Sequence, residues 1–311
     1  MSSSSPHPWS PVRWAQNGHV RLAFDQLTEG QDGEPLLLAT GLGVNRLWVP
    51  DGLCRMLAAQ GFAVARYDQR DGGESTHLPA TATRNPIAAL FGKRGEAYTA
   101  EDMADDAAAV MDALGWRSAH LLGVSLGGAV AQRVALRHPD RVRTLTSMAA
   151  VPGDATGLRT MPYIRLRTLG KFARLTFPDT PEGAVAAGVA VSRLLASPNR
   201  PFDEQSAREA AERNADSGVH DQRAQSRQIG AQWHGPPISA ITRPTLVLHG
   251  EDDPLIKPGA AKAIASRIPG SRLVVLPEVG HELPACSWHS VATELRALAE
   301  TAHHPPVPPA G

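Results

Sequence analysis

The segment Gly123-Val124-Ser125-Leu126-Gly127-Gly128 constrains this chain more than any other. It follows the apolar run Ala119, Leu121, Leu122 and precedes the small residues Ala129, Val130 and Ala131. Such a passage reads as a short buried strand, a sharp turn and a helix. A serine pinned in that turn projects its hydroxyl above the strand end, and the flanking glycines let the backbone double back without a Cβ striking its neighbours. The helix starting behind Ser125 aims its unpaired N–H groups and positive end at any negative charge formed there. A Gly-rich turn without chemistry is the competing reading of the motif alone, and the strand–turn–helix context favours a nucleophile.

The rest of the chain supplies a framework for such a turn. Val20, Leu22 and Phe24 alternate with Arg21, Ala23 and Asp25, a period of two that predicts a strand with one covered face. Leu36-Leu37-Leu38-Ala39 is continuously apolar, as a strand buried on both faces must be. Leu53, Met56 and Leu57 share a helical face that ends at Gly61, and Val64, Ala65 and Tyr67 give the next strand. Thr99 is placed to cap a helix whose buried stripe is Met103, Ala107, Val110, Met111 and Leu114. Strands follow at His120–Leu122 and Val142–Met148, a rhythm of right-handed crossovers and a mostly parallel sheet. The rhythm then breaks. Between Pro152 and Trp233 no strand is legible, and helices are expected over Leu158–Leu175, Pro181–Leu195 and Glu204–Asn214. The sheet resumes at Thr245–Gly250 and Leu273–Leu276, with helices at Ala260–Arg267 and His289–Glu300. This divides the chain into a core of residues 12–151 and 237–301, a helical insert of residues 152–236, and loose ends at 1–11 and 302–311.

Composition excludes several classes. Lys plus Arg (31) equals Asp plus Glu (31), so there is no electrostatic case for a nucleic-acid or anionic-membrane partner. Cys54 and Cys286 are too few for a disulfide scaffold and lack metal-site spacing, so free thiols are expected. His303 and His304 have no third ligand near them in sequence and read as tail residues. With neither a signal-peptide pattern nor a run of 18 apolar residues, a cytoplasmic protein without a membrane span is expected.

A serine hydroxyl needs a base to take its proton. His281 follows Leu276-Pro277-Glu278-Val279-Gly280, the loop leaving the last strand, and is the preferred base; His249, at a strand end, is the other loop-facing choice. The base needs a carboxylate to hold its tautomer. Asp253 is preferred because Pro254-Leu255 would steady it, with Asp252 and Asp154 as alternatives. The loop Thr40-Gly41-Leu42-Gly43 empties from a predicted central strand, and the N–H of Leu42 would join that of Leu126 as a pair of oxyanion donors. Two glycines easing a turn is the simpler account of that loop. Asp68 to Ser75 reads as structural, with Asp68, Arg70 and Asp71 pairing with one another and with loop amides. Arg165, Arg167, Lys171 and Arg174 read as a solvated helix face.

The order Ser125, Asp253, His281 is that of open α/β sheets. With Thr40-Gly41-Leu42-Gly43, Gly123-Val124-Ser125-Leu126-Gly127, Gly250-Glu251-Asp252-Asp253-Pro254-Leu255 and Gly280-His281, the sequence resembles the α/β-hydrolase superfamily. Thr40-Gly41 stands where that family usually has His-Gly, a change beside a backbone donor. The resemblance implies a mostly parallel eight-stranded sheet flanked by helices, with an inserted helical cap. More narrowly, Arg66 to Thr76, His249 to Pro254 and Gly280 to Pro284 are similar to small-cap serine esterases related to aclacinomycin methylesterase, which remove methyl esters from aromatic polyketides. That likeness implies a small-molecule ester substrate, an acyl-enzyme and no metal or organic cofactor. The same triad would serve a lactonase, a carbon–carbon bond hydrolase or a cofactor-free haloperoxidase, the last suggested by the position of Trp48. A non-catalytic small-molecule receptor is the reading from outside enzymology, and Ser125 sets aside enzymes with an aspartate nucleophile.

Overall fold

Eight strands form: β1 (Arg13–Asn17), β2 (Val20–Gln26), β3 (Glu34–Ala39), β4 (Phe62–Tyr67), β5 (Ala119–Val124), β6 (Val142–Met148), β7 (Thr245–Gly250) and β8 (Arg272–Leu276). They pair in one sheet in the order β1-β2-β4-β3-β5-β6-β7-β8. β2 runs antiparallel to β1 and β4, and the other pairs are parallel. This is the eight-stranded, mostly parallel sheet that the resemblance implies. The computed structural model describes residues 8–79, 97–216 and 223–303.

The apolar runs place the core on both faces of the sheet. Leu37 and Leu121 enter one cluster with Met103, Val110, Val130 and Ile264. Leu36, Leu38 and Leu122 enter the other with Leu53, Leu57, Val291 and Leu295. Successive strand residues thus feed opposite clusters, as a period of two requires. The first face is covered by α2 (Ala100–Ala113), α3 (Leu126–Arg137) and α8 (Pro258–Arg267), the second by α1 (Asp51–Ala59) and α9 (Ala285–His303). Thr99 caps α2 as its sequence predicts. Its hydroxyl accepts from the Asp102 N–H at 3.2 Å, and the Asp102 carboxylate accepts from the Thr99 N–H at 2.7 Å.

Between β6 and β7 the chain is helical: α4 (Leu166–Phe172), α5 (Pro181–Leu195), α6 (Glu204–Asp216) and α7 (Ala224–Gly230). Both ends of the chain depart from expectation. Trp9 is buried, its backbone bridges Leu27, its indole N–H donates to Asp51 at 2.9 Å, and the Arg66 guanidinium lies 3.5 Å from its ring centroid. The amino-terminal segment expected to be loose through residue 11 is therefore anchored from residue 8, because one large aromatic supplies apolar area that the Ser/Pro composition hides. At the other end α9 carries the helix to His303, past the expected boundary at 302. The loop Leu78–Gly95 is largely, and His220 and the tail from residue 304 are wholly, outside the described residues.

The polar loop after β4 is structural, but its charges do not pair with one another. Arg46, 2% exposed, reaches Asp25 at 2.9 Å and Asp68 at 2.5 Å, and Arg66 holds the other oxygen of Asp25 at 2.8 Å. Arg70 pairs with Asp106 at 2.6 Å, and Asp71 with Arg227 at 2.7 Å. Left-handed backbone at Asp71 (φ 63°) turns the chain so that neighbouring side chains diverge toward different elements. Asp68 also accepts from the N–H of Arg46 at 2.6 Å and of Glu74 at 3.0 Å, so loop amides are used as expected. Burial opposes the Arg46 charge, yet Asp68 and Asp25 outweigh it and raise the guanidinium above its ordinary value.

Replacing Arg46 with methionine would strand two buried carboxylates. Urea titration of Arg46→Met should give an unfolding free energy lower by about 3–5 kcal/mol, and a loss below about 1 kcal/mol would refute the role of this guanidinium as the hub of the network.

Candidate active site

Main-chain hydrogen bonds hold the carboxyl ends of the strands level. The Ser125 N–H donates to Met148 O at the end of β6, Ala149 N–H to Leu248 O on β7, and Glu251 N–H to Leu276 O on β8, each at 2.9 Å. The turn at Ser125, the loop with Asp253 and the loop with His281 therefore share one edge, where open α/β sheets bind their ligands.

Ser125 caps α3 with φ 57° and ψ −118°, a conformation L-residues rarely adopt. The turn around it is closed by backbone contact. A Cβ on Gly127 would lie 2.1 Å from Ala39 O, and one on Gly123 would lie 2.1 Å from Gly127 O. The loop after β3 runs alongside, since a Cβ on Gly41 would lie 3.5 Å from the Cβ of Ser125. Among the described residues, the N–H groups of Leu42 and Leu126 take part in no hydrogen bond. Their neighbours do: Gly43 N–H donates to Gln228 Oε1 at 3.2 Å, and Gly128 N–H to Ser125 O at 3.0 Å.

His281 and Asp253 are in direct contact, with Nδ1 and Oδ2 2.7 Å apart and both side chains buried. The other oxygen of Asp253 accepts from the N–H groups of Leu255 (2.8 Å) and Ile256 (2.7 Å). Burial alone would raise the Asp253 pKa, but the His281 ring and these two N–H groups outweigh it and hold the carboxyl below its ordinary value. With the carboxylate accepting, Nδ1 of His281 is the donor in this bond. Ser125 lies on the same edge, and among the described residues its hydroxyl forms no hydrogen bond to His281.

The two competing carboxylates are engaged elsewhere. Asp252 accepts from Ser197 Oγ at 2.6 Å and Asn199 Nδ2 at 2.9 Å. Asp154 pairs with Arg267 and accepts from the Ile238 N–H at 3.2 Å. His249 is buried, and desolvation together with the charge of His281 outweighs the pull of Asp253 and keeps its pKa low. Among the described residues no group of three or more His, Cys, Asp or Glu could hold a metal ion. Cys54 and Cys286 are free thiols, and burial pushes that of Cys54 up to about 12. A surface cleft of about 300 Å³ lined by Ser118, His120, Arg143 and Arg243 opens at the opposite edge of the sheet, away from Ser125, Asp253 and His281.

The helical insert reaches the carboxyl edge directly. His281 N–H donates to Leu195 O at 2.7 Å, Ser197 N–H to Glu282 Oε1 at 3.1 Å, and Arg165 N–H to Leu255 O at 2.8 Å. Sequence reasoning finds none of these contacts, nor that of Gln228 with Gly43 across 185 positions. No local pattern marks a polar side chain whose partner is so remote.

The model of the alpha/beta hydrolase fold family matches residues 34–284, and the chain belongs to this family. It is similar to rhodomycin D methylesterase DnrP of Streptomyces peucetius, 30% identical over 310 residues that span 94% of this chain and 99% of that protein. It is equally similar to DauP, the rhodomycin D methylesterase of Streptomyces sp. strain C5, over the same shares of both chains. Among solved structures, an esterase of Exiguobacterium antarcticum superposes with a TM-score of 0.69 at 19% identity, covering 92% of this chain and 98% of that one. No helix among the described residues is long and apolar enough to cross a membrane.

Two stability measurements check this geometry. Because φ 57° disfavours a Cβ, Ser125→Gly should be more stable than Ser125→Ala by about 1–2 kcal/mol; equal melting temperatures would contradict the strain. A carboxylate whose folded pKa is depressed stabilises the fold above its unfolded value and ceases to do so as pH falls through the folded one. The destabilisation caused by Asp253→Asn should therefore be constant above the ordinary carboxyl value of 3.8 and shrink below it. A difference in unfolding free energy that grows on acidification would reverse this assignment.

Proposed function

We propose that this α/β hydrolase is a serine esterase whose substrate is a methyl ester of a hydrophobic or aromatic compound. The observation that carries the reading is the buried His281–Asp253 pair on the same sheet edge as a serine held at positive φ. The likeness to two rhodomycin D methylesterases, over nearly the whole of each chain, supports the methyl-ester class. Two free thiols fit a reducing, cytoplasmic setting.

In the proposed cycle Nε2 of His281 takes the Ser125 proton as the oxygen attacks the ester carbonyl. The oxyanion forms where the N–H groups of Leu42 and Leu126 and the amino end of α3 converge. A single such donor contributes roughly 3–4 kcal/mol to the barrier reduction. The imidazolium, steadied by Asp253, protonates the departing alcohol, and the acyl-enzyme remains. His281 then deprotonates water, which attacks the acyl carbon, and the imidazolium returns the proton to the departing Ser125 oxygen, releasing the acid and the free serine.

Hydrolysis of a short nitrophenyl ester by Ser125→Ala should fall by at least ~10³-fold, and turnover near the wild-type rate would refute the nucleophile. Asp253→Asn should lower kcat by about 10³–10⁴-fold, whereas Asp252→Asn, whose carboxylate faces Ser197 and Asn199, should lower it far less; the opposite ranking would exchange their roles. A panel of methyl esters, lactones and β-diketones with aromatic acyl groups tests the substrate class, with preference for a lactone or diketone as the overturning result.

A further inference from the structure

Resting on the esterase reading, we propose that α7 of the insert belongs to the oxyanion machinery, with Gln228 as the positioning residue that fixes the loop carrying Leu42. Gln228 is 2% exposed and touches two loops at once. Its Oε1 accepts from the Gly43 N–H at 3.2 Å, and its Nε2 donates to Arg70 O at 3.0 Å. The loop after β3 is thereby joined to the loop after β4 through a side chain that comes from the insert. Gln69 joins the same two loops from the core side, its Nε2 donating to Thr40 O at 2.6 Å.

Leu42 lies between these two fixed points. Without them a Gly-Leu-Gly segment would sample many orientations, since glycine restricts its backbone least. A donor is useful only when its N–H points at the place where the oxyanion forms, about 2.7–3.1 Å away. Gly43 itself sits at φ 68°, and a Cβ there would be 2.4 Å from Gln225 Nε2, so a second side chain of α7 lies against the loop. Farther along, the Asn45 N–H donates to Asn214 Oδ1 and its side-chain amide to Asn214 O, both at 3.3 Å, which adds α6 to the grip.

The preceding residue anchors the helix. Arg227 meets Asp71 through two parallel bonds, Nε to Oδ2 at 2.8 Å and Nη2 to Oδ1 at 2.7 Å, with neither side chain exposed. A planar fork of this kind resists both sliding and rotation. Asp71 in turn accepts from the Leu78 N–H at 2.8 Å, so the anchor is tied to the core loop at both ends. Arg227 fixes where α7 sits; Gln228 transmits that position to the loop.

Because the oxyanion exists only in the transition state, loosening the loop should lower kcat and leave ground-state binding intact. The experiment compares Gln228→Ala and the bulkier Gln228→Leu with wild type, using a nitrophenyl ester as substrate and an alkyl trifluoromethyl ketone as a tetrahedral-adduct inhibitor. Both variants should lose about tenfold or more in kcat, keep KM within about twofold, and bind the ketone more weakly by the same factor as the kcat loss. The pH at which kcat falls on the acid side should not move, since the His281–Asp253 pair is untouched. Wild-type kcat, or a loss confined to KM, overturns the proposal, as does a kcat loss with unchanged ketone affinity. Two folded variants with a shifted acid limb would also overturn it. Ser125→Ala is run in parallel: if it is inactive while the Gln228 variants are wild-type, the positioning role alone fails, and if it hydrolyses the ester, the esterase reading fails.

Discussion

Backbone-to-backbone contact between α3 and the strands beneath it is the constraint from which the carboxyl edge is built. At Gly127 the helix touches the carbonyl of Ala39, and at Gly123 the strand touches the carbonyl of Gly127, at separations that leave no room for a Cβ. Held this close, the helix must begin within one residue of the strand end, and Ser125 is driven to positive φ to make the turn. The same approach brings the free end of α3 beside the loop after β3. One packing contact thus sets the serine's backbone conformation and its place beside the loop after β3.

Gly123 and Gly127, which close the turn, are near neighbours in sequence, which is why the turn was legible there, whereas Ala39 comes from a distant strand. Strand, turn and helix occupy adjacent residues, and their apolar and glycine pattern is continuous from Ala119 to Ala131. Asp253 and His281, which the structure brings into contact, stand out in the sequence for a related reason: each comes after the end of an apolar run, and Pro254 sets Asp253 apart from Asp252. The structure adds a distinction that the sequence lacks, because Ser197 and Asn199 occupy the Asp252 carboxylate. β1 was not legible. Of its five residues only Ala15 is buried, so the strand exists through pairing with β2 and carries no apolar signature of its own. Nor were the partners of Asp68 and Asp71, which lie 22 and 156 positions away, since a charge in a sequence says nothing of how far its counterion is.

The insert between β6 and β7 does more than cover the edge. Its residues 195–200 bind the backbone of His281 and the side chains of Asp252 and Glu282, the immediate neighbours of the imidazole and the carboxylate. Asn214, Arg227 and Gln228 of the insert bind the loops after β3 and β4. Exposed ion pairs would do this weakly, because water screens them and long side chains lose entropy. Most of the contacts here are partly or fully buried and several engage backbone groups, so they set geometry more than they add stability.

The spacing of the Asp253–His281 pair has a consequence for biosynthesis. Ribosomal synthesis delivers the serine turn and its helix first, the insert next, and β8 with its succeeding loop almost last. A nascent chain that has completed β6 already contains the Ser125 turn, but His281 and Asp253 are still untranslated. Under the proposed cycle, reactivity would be withheld until the final strand docks, and an incompletely made chain would be chemically silent toward esters.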